Sequence, residues 1–179
     1  MPEVEIRPAL ASDLSHLLAI DHSCQTDYVW QMDVQREEGH LGAIFREIRL
    51  PRSVMVPYPR PASALSESWN RRSGVLVAVI AGQAAGYIRV NDAILPQTAW
   101  FMDVVVSPRF RRQGIASALI LAAQSWGVER KNRRALLEMP SKNNPAVHLA
   151  QKLGYEFCGY NDQYYEKQDI ALFFGRSIR

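Results

Sequence analysis

Val104-Val105-Val106-Ser107-Pro108-Arg109-Phe110-Arg111-Arg112-Gln113-Gly114-Ile115-Ala116-Ser117 is the stretch that decides how this chain folds. Three consecutive valines at the end of an apolar run read as a buried strand. A turn with a glycine follows. Ile115, Leu119, Ala122 and Trp126 then fall on one stripe, which predicts a helix over residues 113–130. The amides of a helix's first turn have no partner within the helix, and its dipole favours negative charge at that end. Gly114 would let a phosphate approach backbone that a side chain would screen. Arg111 and Arg112 add charge-assisted donors. Strand, tight turn and helix N-terminus in this order suit an anion; the same turn also serves elsewhere as a plain connection.

Working outward, residues 99–106 and 134–139 read as strands on either side of that helix. Residues 145–153 read as a second helix with Pro145 in its first turn, and residues 155–160 and 170–175 as closing strands. Upstream, residues 74–80 and 85–90 flank a turn at Ala81-Gly82-Gln83-Ala84. Residues 4–7 alternate as a strand, and Ser12 or Asp13 can cap a helix running to about residue 21. Residues 35–39 read as loop or helical turn, 41–50 as a strand, and 63–71 as a short helix. Pro51, Pro57, Pro59 and Pro61 mark an irregular connection. The expected class is α/β, an α+β mixed sheet covered by helices with one central βαβ crossover, in a single domain over residues 1–179.

Composition narrows the function. With 21 basic and 18 acidic residues the net charge is +3, which suits an anionic cofactor but is no nucleic-acid signature. The second basic run, Arg130-Lys131 and Arg133-Arg134, reads as a solvated helix end. Cys24 and Cys158 with four scattered histidines give no metal spacing, so no metal is expected. No apolar run reaches a membrane-span length, and Met1-Pro2-Glu3-Val4-Glu5 has no leader character, so a cytoplasmic protein without a membrane partner is expected. Neither G-x-x-x-x-G-K-[ST] nor G-x-G-x-x-G occurs, which excludes the usual nucleotide loops.

Arg111-Arg112-Gln113-Gly114-Ile115-Ala116 after a strand, of the form Arg/Gln-x-x-Gly-x-Gly/Ala, resembles the pyrophosphate-binding motif of the GNAT superfamily of coenzyme A-dependent N-acetyltransferases. Leu136-Leu137-Glu138, Asn143-Asn144-Pro145-Ala146, Leu149 and Lys152-Leu153-Gly154-Tyr155 are similar to that superfamily's second motif, and Ile6-Arg7-Pro8-Ala9 with Asp13-Leu14 to its opening. The tail, Gly159-Tyr160-Asn161-Asp162 with Tyr164-Tyr165 and residues 169–174, looks most like the streptothricin and ribosomal-protein-alanine acetyltransferase branches. Residues 21–72 match no motif and would form a variable segment on the acceptor side, where Tyr28, Trp30 and Trp69 could wall a pocket or simply pack.

The resemblance implies a GNAT fold, acetyl-CoA as cofactor, and transfer to a primary amine by direct attack, in line with the lack of a Cys or Ser nucleophile motif. It assigns Arg111, Arg112, Gln113, Gly114, Ile115, Ala116 and Ser117 to the pyrophosphate. Backbone of Val104, Val105 and Val106 would hold the pantetheine as an added strand and give one amide to the thioester oxygen. Asn143 would touch the cofactor or cap the helix before Pro145. Glu138 is the implied base, with an ion pair to Arg89 or Arg111 as the alternative; Asp103 is the rival carboxylate, expected on the strand face of Phe101 and Val105. The general acid departs from the pattern, since Ala150 stands where the superfamily has tyrosine. A water in the space beside Ala150, or one of Tyr160, Tyr164 and Tyr165, could replace it; in an extended tail Tyr164 and Tyr165 would point apart, so one at most could serve. A small-molecule amine is the preferred acceptor, a protein N-terminus or lysine the alternative, and a second copy of the chain a candidate partner. A catalytically weak acyl-CoA-binding module is the rival reading, favoured by Ala150.

Overall fold

The computed structural model describes residues 3–69 and 74–179. Among these residues nine strands and four α-helices follow in the order β1 (Glu5–Pro8), α1 (Leu14–Leu18), β2 (Cys24–Glu37), β3 (His40–Val56), α2 (Ser63–Ser68), β4 (Gly74–Ile80), β5 (Gln83–Asn91), β6 (Thr98–Val106), α3 (Ile115–Glu129), β7 (Arg134–Pro140), α4 (Asn144–Lys152), β8 (Glu156–Asn161) and β9 (Ala171–Ser177). Seven strands form one sheet in the order β1-β4-β5-β6-β7-β9-β8, antiparallel throughout except for the parallel pair β6–β7. That pair is joined through α3, the expected crossover.

Alternation along the strands divides the core. Leu76, Ala78 and Ile88 face a main core with Leu119 and Ile120 of α3 and Val147 and Ala150 of α4. Val77, Tyr87 and Val105 face a smaller core with Leu17 of α1 and Leu65 of α2. The β4–β5 turn is just Ala81-Gly82, both at positive φ (48° and 76°), the form that matches strand twist. Gln83 and Ala84 therefore belong to β5, not to the turn.

The segment without a motif holds the largest departure. Residues 35–37 are strand rather than loop, and β2 and β3 make a long hairpin forming a separate two-stranded sheet. The strand expected at 41–50 extends through Pro51 to Val56. Pro51 is tolerated because Thr26 pairs with Val54 and Tyr28 with Arg49, leaving it in a bulge where no ladder amide is needed. The Trp30 amide donates to the Ser141 carbonyl at 2.9 Å, and Phe45 packs on Phe157 and Tyr160 of β8. The hairpin thus crosses the end of β7. The helix expected at 63–71 covers Ser63–Ser68, and its last two expected positions, Asn70 and Arg71, lie outside the described residues.

One irregularity positions the site. Asp103 lies opposite Arg89 but Phe101 lies opposite Val90, so Met102 is an extra residue in β6. A bulge bends its strand and shifts the alternation by one. Phe101 therefore faces the main core with Val106, not the side of Asp103 and Val105, which corrects the facing read from simple alternation. β6 pairs with β7 only from Thr98 to Phe101, against Arg134 to Leu137. Beyond the bulge the two strands part. Among the described residues no helix is long and apolar enough to cross a membrane.

Candidate active site

The turn after β6 is built to leave amides free. Arg112 (φ 64°) and Gly114 (φ 84°) are both left-handed, and such alternation points successive N–H groups into one concavity. Gly114 precedes α3 and no side chain caps the helix. The first amide to donate within the helix is that of Ala118, to the Gly114 carbonyl at 3.0 Å. Residues 112–114 are exposed, and a Cβ on Gly114 would meet no atom within 4 Å, so open space lies before these donors. Arg111 is turned elsewhere: its Nε donates to the Val106 carbonyl at 2.8 Å and its Nη2 to the Asp21 carbonyl at 2.9 Å. It braces the turn.

Where β6 and β7 part lies a narrow cavity of about 50 Å³, lined by Tyr58, Arg60, Met102, Val104, Leu137, Glu138, Asn143, Leu149 and Tyr165 among others. Glu138 is a buried carboxylate on its lining, and a second, Asp103, lies behind the lining residues Tyr58 and Arg60. Asp103 receives Tyr58 and Arg60 on Oδ1 and Arg89 on Oδ2. Glu138 receives Arg60 and Tyr165 on Oε1, the latter at 3.0 Å, and on Oε2 Trp100 at 2.9 Å and Tyr164 at 3.2 Å. Burial, then the Glu138 charge, pushes the Tyr165 and Tyr164 hydroxyls above the usual phenol range. Burial, then Asp103, does the same to Tyr58. Burial opposes the Arg60 charge, but Glu138 and Asp103 outweigh it and hold the guanidinium protonated. A larger concavity, about 690 Å³ around Gln97, Lys131, Arg133 and Arg179, lies at the opposite end of these strands.

Comparison with known proteins identifies this arrangement. The profile described as the Acetyltransferase (GNAT) family matches residues 41–155. The chain belongs to the GNAT family of acetyltransferases. Streptothricin acetyltransferase of Streptomyces lavendulae is 28% identical over 167 residues, covering 90% of this chain and 86% of that protein. The crystal structure of nourseothricin acetyltransferase superposes with a TM-score of 0.85 at 23% identity, covering 98% of this chain and 99% of that one. A Bacillus anthracis protein, provisionally assigned as a streptothricin acetyltransferase and solved in complex with acetyl coenzyme A, superposes at 0.79 with 19% identity, covering 98% and 100%. The Escherichia coli ribosomal-protein-S18-alanine N-acetyltransferase superposes at 0.68 with 15% identity, covering 98% and 94%. The protein is an acetyl-CoA-dependent N-acetyltransferase.

The GNAT cofactor fits the residues present. An uncapped helix N-terminus with open space before Gly114 suits a pyrophosphate, and the β6 edge left by the departing β7 suits an extended amide-bearing chain. Asn143 is the cap of α4, its side chain accepting from the Ala146 amide at 3.2 Å, while it also lines the cavity. Asn144 instead takes the Trp30 indole at 2.8 Å. Trp69 packs on the smaller core and Tyr28 is exposed, so of the three aromatics only Trp30 stands beside the site's helix.

Three expectations change. Ala150 is 0% exposed and packed in the main core, so no space for water opens beside it; α4 presents Asn143, Ala146 and Leu149 to the cavity. Tyr164 and Tyr165 do not point apart. Their segment is a turn, both amides donating to the Asp169 carbonyl, and both hydroxyls converge on Glu138. The partner of Glu138 is neither Arg89 nor Arg111 but Arg60. Arg60, Tyr58 and Trp100 carried no motif. The only sequence sign of the first two was proline spacing, in Pro57-Tyr58-Pro59-Arg60-Pro61.

Proposed function

We propose that this acetyltransferase moves acetyl from acetyl-CoA directly to a primary amine of a small molecule of the streptothricin class. The observation that carries this is the buried Glu138 carboxylate, ringed by tyrosines, at the cavity where β6 and β7 part. The hairpin narrows that end by binding Ser141, Asn144 and His148, which favours a small acceptor over a folded one. The streptothricin acetyltransferase relative supports the acceptor class.

Acetyl-CoA supplies the acetyl group as an activated thioester. The backbone amides of Arg112, Gln113, Gly114, Ile115, Ala116 and Ser117, with the Arg112 side chain, would hold its pyrophosphate, while Arg111 braces the turn. The backbone of Val104, Val105 and Val106 would hold the pantetheine, and Asn143 closes the cavity wall. An alkylammonium has a pKa of ~10.4 and must lose a proton before it can attack. The two Glu138 oxygens already accept four hydrogen bonds, about their full capacity. Of the two tyrosine donors, Tyr164 is half-buried and Tyr165 is buried. The proton therefore passes to the Tyr164 hydroxyl as that hydroxyl gives its own to Glu138 Oε2. Remaining neutral, Tyr164 would also pass the proton held on Glu138 to the sulfur of the departing coenzyme A, the part that Ala150 cannot play. Asp103, fully engaged by Tyr58, Arg60 and Arg89, holds the site together.

Glu138→Gln is expected to lower turnover by ~10²–10⁴-fold while leaving acetyl-CoA affinity by calorimetry unchanged. Parental turnover would remove Glu138 from the reaction. Thioester consumption with streptothricin, free lysine and alanine-initiated peptides tests the acceptor: a peptide preference would replace the small-molecule reading.

A further inference from the structure

Arg60 stands between Pro59 and Pro61, whose rings fix φ on both sides. Its guanidinium reaches the point where the carboxylates of two strands meet. Nη1 donates to the Met102 carbonyl at 3.0 Å and to Asp103 Oδ1 at 3.4 Å, and Nη2 pairs with Glu138 Oε1. Its central carbon lies 5.4 Å from the centre of the Tyr165 ring. The side chain is only 15% exposed. Arg60 thus ties β6 to β7 just beyond the end of their ladder. Asp103 has a second cation, Arg89. Among the described residues Glu138 has no other, since Trp100, Tyr164 and Tyr165 are neutral donors.

We infer that Arg60 is a positioning residue for acetyl transfer. It keeps the Glu138 carboxylate aligned on Tyr164 and fixes the gap between the strand ends at the cavity. This rests on Glu138 being the proton acceptor. The planar fork is required because it satisfies two carboxylates and a carbonyl at once, whereas an ammonium is a point charge on a flexible stem. A second consequence concerns the acceptor. Two carboxylates and two guanidiniums leave the inner site with no net charge, and Arg60 occupies the place where an alkylammonium would pair with Glu138. The acceptor's ammonium therefore reaches Glu138 only through the Tyr164 hydroxyl.

The test compares Arg60→Ala, Arg60→Lys and Glu138→Gln with the parent, using streptothricin as acceptor. Arg60→Ala is expected to lower kcat about 10²-fold, the scale of a misplaced catalytic group, with acetyl-CoA affinity unchanged. The acidic limb of its kcat/KM profile should move to higher pH, because a buried carboxylate without a cation keeps its proton longer. Added methylguanidinium should restore part of kcat, and ethylammonium should not. Arg60→Lys should fall between parent and Ala, without methylguanidinium rescue; if the Ala variant does not fold, the Lys variant and its pH profile are read instead. Parental kcat and pH profile in the variant read overturn the inference. So does loss of acetyl-CoA binding in proportion to the loss of kcat. If Glu138→Gln keeps parental turnover, the proton-acceptor reading fails first; if it is impaired while Arg60→Ala is parental, only the role of Arg60 fails.

Discussion

Replacing Gly114 by aspartate puts the cofactor loop to its sharpest test. Gly114 sits at φ 84° directly before α3, and an added Cβ would meet nothing within 4 Å. The cost to the fold is therefore backbone strain alone, about 1–2 kcal/mol for a left-handed L-residue and less for aspartate, which tolerates that region. In a chain of this length 1 kcal/mol corresponds to roughly 2–4 °C, so Tm should fall by about 2–8 °C at most. The cost to binding is larger. The new carboxylate would project into the open space before the free amides, where a pyrophosphate would sit. Two unit charges about 4 Å apart repel by roughly 4 kcal/mol at an effective dielectric of 20, close to a thousandfold in affinity. Calorimetric titration with acetyl-CoA beside thermal unfolding separates the two effects. Gly114→Ala should share the strain without the added charge and so bind better than Gly114→Asp. Equal affinities of parent and Gly114→Asp would refute the assignment of the anion to this loop.

The two tail tyrosines should separate in kinetics: Tyr164→Phe is expected to lower turnover more than tenfold at saturating acetyl-CoA, while Tyr165→Phe, further from solvent, acts mainly on stability; equal turnover in both variants and parent would exclude the relay. Ala150→Tyr should not restore a general acid, because the residue is enclosed in the main core; overpacking should cost about 1–3 kcal/mol, seen in denaturant midpoints, and a stable, faster enzyme would contradict this. Burial pushes the Tyr155 phenol up to about 12, partly offset by its bond from Gln124. The unfolded chain loses that proton near pH 10, so the stability is complete below pH 10 and declines as pH rises toward 12. Tyr155→Phe should flatten that part of the stability curve, and an unchanged slope would assign alkaline unfolding to other groups.

Much of the sheet was legible because its signals are local. The valine run, the glycine before an apolar stripe, the Ala81-Gly82 turn and Pro145 behind a capping asparagine each act through a few neighbouring residues. The same locality marked the turn with free amides before α3 and put Glu138 in a strand where alternation is unbroken, Leu137 and Met139 on either side facing the main core. It failed at Phe101, where one inserted residue reversed the alternation, because a bulge is set by the pairing of β6 with β5 and not by β6 alone. It failed also for the hairpin β2–β3, whose apolar residues find partners on α4 and β8 more than a hundred residues away.

By itself, then, the sequence determined the strands and helices from β4 onward, the glycine turn before α3 and the two candidate carboxylates. These depend on backbone conformation and side-chain period, which are short-range properties. Only the tertiary structure decided what surrounds the carboxylates. It brought Arg60 from a proline-flanked loop onto Glu138, turned Tyr164 and Tyr165 onto one acceptor, buried Ala150, and opened the gap between β6 and β7. A buried charge must be met by whatever donor the packed chain delivers to it, and that donor is fixed by proximity in space, which spacing along the chain does not encode.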